Sequence, residues 1–324
     1  MIGHEGHLEL LLAAGYISRG FPEEGSGWHL LFAGAHVPWG KLRPDPMMYD
    51  ALYLFVDDPE RSPLVLSLSH ILGGRLHPVP ARPPAARAIH AAMNPFFYAQ
   101  GMPLPPRLCG QAFLQLPREG PGRLVPAVKA PSGASGMVLV HPGSGSLKKN
   151  WPPDRFAKLL RKTLTAFHPL RPWLIQGPAD QAAIDAIVNA DDLRDEVRGI
   201  AALRPLDLAQ VLSEATLYVG NDSGVTHLCA ALGVPTIAIF GPSDPAQWSP
   251  LGPCVRVVRR DFDCPPCHLR GDRPCSHDTC QRFPSVEEVE EAAHGLLRAK
   301  GPPSGTAHAL AQAGRRSGAL FSEP

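Results

Sequence analysis

The sequence holds no apolar run of the roughly 20 residues that a membrane-spanning helix needs. Its best candidates, "HLELLLAAGY" and "TIAIFG", are short. It has almost no net charge, +1 over 324 residues. No global field therefore draws the chain to nucleic acid or to an anionic surface. The opening "MIGHEGHLELLLAAG" has no positive segment, and Glu5 and Glu9 interrupt its apolar residues. It does not read as a signal peptide, and a cytoplasmic location is expected. The seven cysteines are an odd count, a poor fit to a closed disulfide framework. In the cytoplasm they are expected as thiols or metal ligands. Two phosphate-binding signatures are also missing: Gly-x-x-x-x-Gly-Lys-Ser/Thr, and Gly-x-Gly-x-x-Gly after a strand.

What is present is an ordinary globular composition, 44% hydrophobic, with 37 prolines that mark many connections. The first third is weakly patterned. "GHLELLLAAG" has helical spacing. Residues 51–58 and 64–70 read as buried strands, and residues 85–102 as a helix. Residues 118–136, "REGPGRLVPAVKAPSGASG", read as a linker. Beyond it strands alternate with helices. Strands are expected at residues 137–141, 173–176, "LYVGN" and "TIAIF", and helices at 154–167, 180–190, "LDLAQVLSEA" and "GVTHLCAALG". That order predicts an α/β fold with a parallel sheet covered on both faces. Ser285 and Glu288 form a capping-box pattern for a last helix. The expected division is residues 1–128, residues 137–300 and a disordered tail, 301–324.

Two loops carry the chemistry, and in such sheets ligands sit beyond the carboxyl ends of the strands. One is "HPGSGSLKKNW", residues 141–151. Gly143 and Gly145 permit unusual backbone angles, Ser144 and Ser146 offer hydroxyls, and Lys149 offers a mobile cation suited to a diphosphate. The other is "GNDSGVTHLCAALG", residues 220–233. Asp222, Ser223 and Gly224 fall at a helix start, where free amides and the dipole favour anions. Asp222 has the wrong charge for phosphate but suits sugar hydroxyls. Either residue can equally be a plain helix cap, and His227 can be a semi-buried histidine. Together the loops suit a nucleotide diphosphate attached to a polyol.

At these residues the chain resembles glycosyltransferase family nine, the ADP-heptose:lipopolysaccharide heptosyltransferases. The resemblance rests on "HPGSGSLKKNWPPDRFAKLL" and on "LAQVLSEATLYVGNDSGVTHLCAALGVPTIAIFGPSDPAQWSP", and is specific over about residues 138–297. It implies two Rossmann-like domains facing a cleft, the type B glycosyltransferase architecture, with the first domain incomplete. It implies inverting transfer of a heptose from an ADP-sugar to a lipopolysaccharide core sugar, with peripheral contact at the inner membrane and no nucleic acid partner. By position it makes Ser144, Gly145, Lys149, Asp222, Ser223, Gly224 and His227 donor-binding residues. Asp180 falls near a family acid that contacts the nucleotide ribose. The family's aspartate base sits in a Gly-Asp loop near its start. Here the sole Gly-Asp is Gly271–Asp272, so the catalytic base is unassigned: either the start is truncated ahead of Met1 or another group serves. His4, Glu5 and His7 are the nearest acids and bases, with fraying as the expected fate of that terminus. The alternative function is a nucleotide-sugar-binding relative without transfer activity.

Cys264, Cys267, Cys275 and Cys280 lie within seventeen residues and can hold zinc tetrahedrally, with His268 and His277 as spare ligands. The second pair is not Cys-x2-Cys, which favours reduced thiols that stabilise a loop.

Overall fold

A computed structural model describes residues 1–24, 26, 28, 42–82, 91, 114–116, 136–166, 170–178, 180–190, 193–194, 196–201, 203–259 and 284–300. The linker at 118–135, most of the helix expected at 85–102, the cysteine loop with Gly271–Asp272 and the tail fall outside them.

Residues 136–300 build the larger part. Strands β5 (Gly136–His141), β6 (Leu170–Ile175), β7 (Arg198–Ile200), β8 (Leu217–Asn221), β9 (Thr236–Ile239) and β10 (Val255–Val258) form one sheet, ordered β7-β6-β5-β8-β9-β10. Every pairing is parallel. Alternate residues of β5 feed opposite cores, as the pleat requires. Val138 and Val140 pack with Phe156 and Leu160 of α3 (Pro153–Ala166), Ile187 of α4 (Gln181–Ala190) and Val289 of α8 (Val286–Lys300). Met137 and Leu139 pack with Val211 and Leu212 of α5 (Pro205–Ser213) and Cys229 of α6 (Gly224–Ala231). A strand buried on both faces reads as one apolar run, which is why "MVLV" stands out in the sequence. The last helix has its capping box: the Ser285 N–H donates to Glu288 Oε2 at 2.6 Å, and the Glu288 N–H to Ser285 Oγ at 3.2 Å.

The strand order sets the site. From β5 the chain winds outward through β6 and β7, then returns to β8 on the other side and continues through β9 and β10. Neighbouring β5 and β8 therefore flank the switch point, the position where open α/β sheets bind ligands.

Among the described residues, the N-terminal part holds two two-stranded parallel sheets: β1 (Ile2–Gly3) with β2 (Phe21–Pro22), and β3 (Leu52–Val56) with β4 (Leu76–Pro80). Two expectations are corrected here. Residues 64–70 are not a strand but lie in helix α2 (Pro63–Leu72). Ser62 accepts the Val65 N–H as N-cap and Pro63 opens the first turn, so local chemistry overrides the alternation of "LVLSLS". The first residues are not frayed. The terminal ammonium donates to Arg19 O at 2.8 Å, and β1 is paired. His4 Nδ1 accepts the Gly6 N–H as the cap of α1 (Glu5–Ala13). That helix packs on α5: Leu10 joins Ala209 and Ala231 in one cluster, and Arg204 pairs with Glu9 at 3.2 Å. Two short edge strands, β7 and β10, carry no sequence signal read above. No helix among the described residues is long and apolar enough to cross a membrane.

Candidate functional site

Strand β5 ends at His141 and β8 at Asn221, with His141 in register beside Gly220. The loops that follow emerge side by side at the switch point. What holds them together is Asn221, a residue absent from the sequence-based site. Its side chain is fully buried. Its Nδ2 donates to Pro142 O at 2.7 Å, and its Oδ1 accepts the Trp151 N–H at 2.9 Å. One amide thus pins both ends of the loop from Pro142 to Trp151. A second pin is the indole of Trp151, which donates to Pro284 O at 2.9 Å and stacks edge-on against Phe156.

Between the pins the loop is open. Gly145, Ser146, Leu147 and Lys148 are exposed, whereas Pro142 and Gly143 are buried. Ser144 is turned inward: its hydroxyl lies 2.6 Å from Asn150 Oδ1 and 2.7 Å from Ser146 O. Gly145 faces open space. A single 3-10 turn, Leu147–Lys149, then swings Lys149 back over the second loop.

There Lys149 Nζ meets Asp222 Oδ2 at 2.7 Å. The aspartate side chain is 6% exposed and the lysine 36%. His227 Nε2 lies 3.8 Å from the other carboxylate oxygen. Burial works against the Asp222 charge, but His227, Lys149 and Ser243 favour the ionised form, outweigh that cost and hold the carboxyl down at about 2. Ser243 is a further contributor that the sequence reading missed. Ser223 is the N-cap of α6 and accepts the Thr226 N–H. Thr226 is itself buried, and its hydroxyl donates to Asn221 O. The first amides of α6 have no carbonyl partner inside the helix, the Thr226 N–H being taken by Ser223, and a Cβ on Gly224 would meet open space.

Asp180 lies apart from Lys149, beneath the first loop. It is buried at 7% exposure, and its Oδ2 sits 3.0 Å from His141 Nε2. The bond from His141 holds this carboxyl below its usual range, with help from the Gly177 N–H and against the cost of burial. The structure therefore brings together Lys149, Asp222, Ser223, Gly224 and His227, with Ser144 and Gly145 on the adjoining loop and Asp180 under it. No group of three or more His, Cys, Asp or Glu among the described residues is arranged to hold a metal. The four candidate zinc cysteines lie outside them.

The chain is similar to known proteins. Residues 121–276 match the model of glycosyltransferase family 9 (heptosyltransferase). Lipopolysaccharide heptosyltransferase 1 of Pseudomonas aeruginosa is 33% identical over 162 residues, 49% of this chain and 41% of that protein. Lipopolysaccharide heptosyltransferase 2 of Escherichia coli is 32% identical over 114 residues, 34% of this chain and 32% of that protein. These matches span less than half the length of either relative. Among solved structures, E. coli ADP-heptose lps heptosyltransferase II superposes with a TM-score of 0.63 at 19% identity, covering 92% of this chain and 89% of its own. E. coli heptosyltransferase WaaC with ADP gives 0.54 at 17%, covering 79% and 82%. At such identities the structural likenesses establish the fold.

Proposed function

We propose that this chain, whose residues 121–276 match the glycosyltransferase family 9 model, belongs to that family and that the carboxyl edge of its six-stranded sheet holds an ADP-sugar. On this reading the chain transfers a heptose from it, with inversion, to a sugar of the lipopolysaccharide core. Residues 137–300 are the donor-binding unit and residues 1–128 the acceptor side, working at the cytoplasmic face of the inner membrane. The observation that carries the proposal is the Lys149–Asp222 pair, which joins the two loops across the switch point.

The chemistry follows from charge. The acceptor hydroxyl oxygen bonds to the anomeric carbon as that carbon's bond to the diphosphate breaks. ADP leaves with the bonding pair, and the hydroxyl proton passes to a base. Charge grows on the leaving diphosphate, so fixed positive groups there stabilise the transition state more than the ground state. The α6 amides at Ser223 and Gly224 and the Lys149 ammonium are such groups. Asp222 steers Lys149 and, with His227, offers acceptors and a donor for sugar hydroxyls. The ADP-heptose of the E. coli heptosyltransferase II name and the ADP bound in heptosyltransferase WaaC support ADP as the nucleotide.

The test is a panel of ADP-, UDP- and GDP-sugars incubated with heptose-free lipopolysaccharide core and followed by nucleotide release. ADP released only from an ADP-sugar, and only with acceptor, supports transfer. ADP bound without turnover instead favours the nucleotide-sugar-binding reading. No binding of any of the three nucleotides rejects the site.

A further inference from the structure

Beneath the donor loop runs a buried polar chain that the proposed reaction does not use. Gly177, just after β6, donates its N–H to Asp180 Oδ2 at 2.7 Å. The same oxygen faces His141 Nε2, at the end of β5, at 3.0 Å. The other nitrogen of that ring, Nδ1, lies 3.5 Å from Ser223 Oγ, after β8. Ser223 in turn caps α6. Three neighbouring strands, β6, β5 and β8, are thereby joined through their C-terminal loops. A carboxylate only accepts, so Nε2 carries a proton toward Asp180, while Nδ1 faces the Ser223 hydroxyl.

The carboxylate also occupies space. A Cβ on residue 143 would collide with Asp180 Oδ1, and one on residue 177 would lie 2.8 Å from Oδ2. The Asp180 head is therefore the floor on which the Gly143 turn rests. His141 and Asp180 are both buried, with side chains 7% and 9% exposed. Desolvating a carboxylate is costly unless it is well bonded, so a pair of this kind is expected to hold one geometry.

We infer that the His141–Asp180 pair is a positioning device for the diphosphate, which sets the 142–151 loop and the α6 cap relative to each other. This rests on the donor-site reading above and changes one part of it: Asp180 acts on the diphosphate through the loop, not on the ribose by contact. The two roles part over the ligand. A ribose contact matters for ADP and is irrelevant to inorganic pyrophosphate, whereas a loop brace matters equally for both.

The experiment titrates ADP and inorganic pyrophosphate by calorimetry into the full chain and into Asp180→Asn, His141→Gln and the double variant. Each single variant is expected to weaken both ligands by about tenfold, the scale of a small misplacement of contacting groups. The double variant is expected to be no weaker than the worse single one, because both residues belong to one unit. Loss of ADP affinity with pyrophosphate unchanged overturns the inference in favour of a ribose contact. Unchanged affinity for both ligands also overturns it. If Asp180→Asn does not fold, amide exchange in His141→Gln replaces it. Faster exchange confined to residues 143–150 and the start of α6 supports the brace, and unaltered exchange there overturns it. A wild-type chain that binds neither ligand removes the donor site itself, a failure distinct from the two above.

Discussion

The two loops at the switch point do opposite things with similar residues. The loop after β8 is buried: Asn221, Asp222 and Ser223 are all below a tenth exposed, and each has a bonded side chain. The loop after β5 is buried only at its ends, and its middle, from Gly145 to Lys148, is open to solvent. The first is a fixed arrangement of charge and amides. The second is a strap held at both ends, with one cation folded inward. Such a pairing suits a ligand that must enter and leave. On the proposed function, the preorganised side lowers the cost of binding, and the open side admits the nucleotide.

The comparison breaks most severely at Asn221. Asn221→Leu keeps the volume but leaves the Trp151 N–H and Pro142 carbonyl unbonded. A loss of about 2–4 kcal/mol in denaturant unfolding and of measurable ADP binding is expected. Gly143→Ala comes next, with about 1–3 kcal/mol from the collision with Asp180 and weaker ADP binding, as read by thermal unfolding and calorimetry. Asp222 follows. Its carboxyl is lowered from the ordinary aspartate range to about 2, so its contribution is present at neutral pH. The contribution disappears as pH falls through about 4 toward 2. Wild-type unfolding free energy should lose about 2 kcal/mol across that window from this group, and Asp222→Asn should abolish that step. The smallest effect is expected at Lys148, exposed on the open strap. Lys148→Ala should change stability by less than about 0.5 kcal/mol and leave ADP affinity near wild type. A large loss there would mean that the exposed middle, not Lys149, grips the nucleotide.

How much of this was legible in the sequence depends on which physical signal each feature leaves. Strands β5, β6, β8 and β9 are readable because doubly covered strands and the helices between them have different periods. Strands β7 and β10 were not, since three or four residues at a sheet edge, with Arg198 and Arg256 among them, show no apolar run. Helix α2 was misread because "LVLSLS" alternates, while the Ser62 cap that decides it lies just outside the run. In the site, Lys149 and Asp222 were visible as charges in glycine-bearing loops. Asn221 and His141 stand in the same stretches without any such mark. Their roles come from burial and from the β5–β8 pairing, neither of which a linear pattern displays. A polar residue at the last position of an apolar strand was the one available hint. It occurs at both His141 and Asn221.

Whether Lys149 holds a diphosphate decides the donor site. Calorimetric titration of ADP into the wild-type chain and into Lys149→Ala measures this at one site with one ligand. The prediction is saturable binding to the wild type, weakened about tenfold or more in the variant, with both chains folded by circular dichroism. Equal ADP affinity in the two folded chains would contradict it.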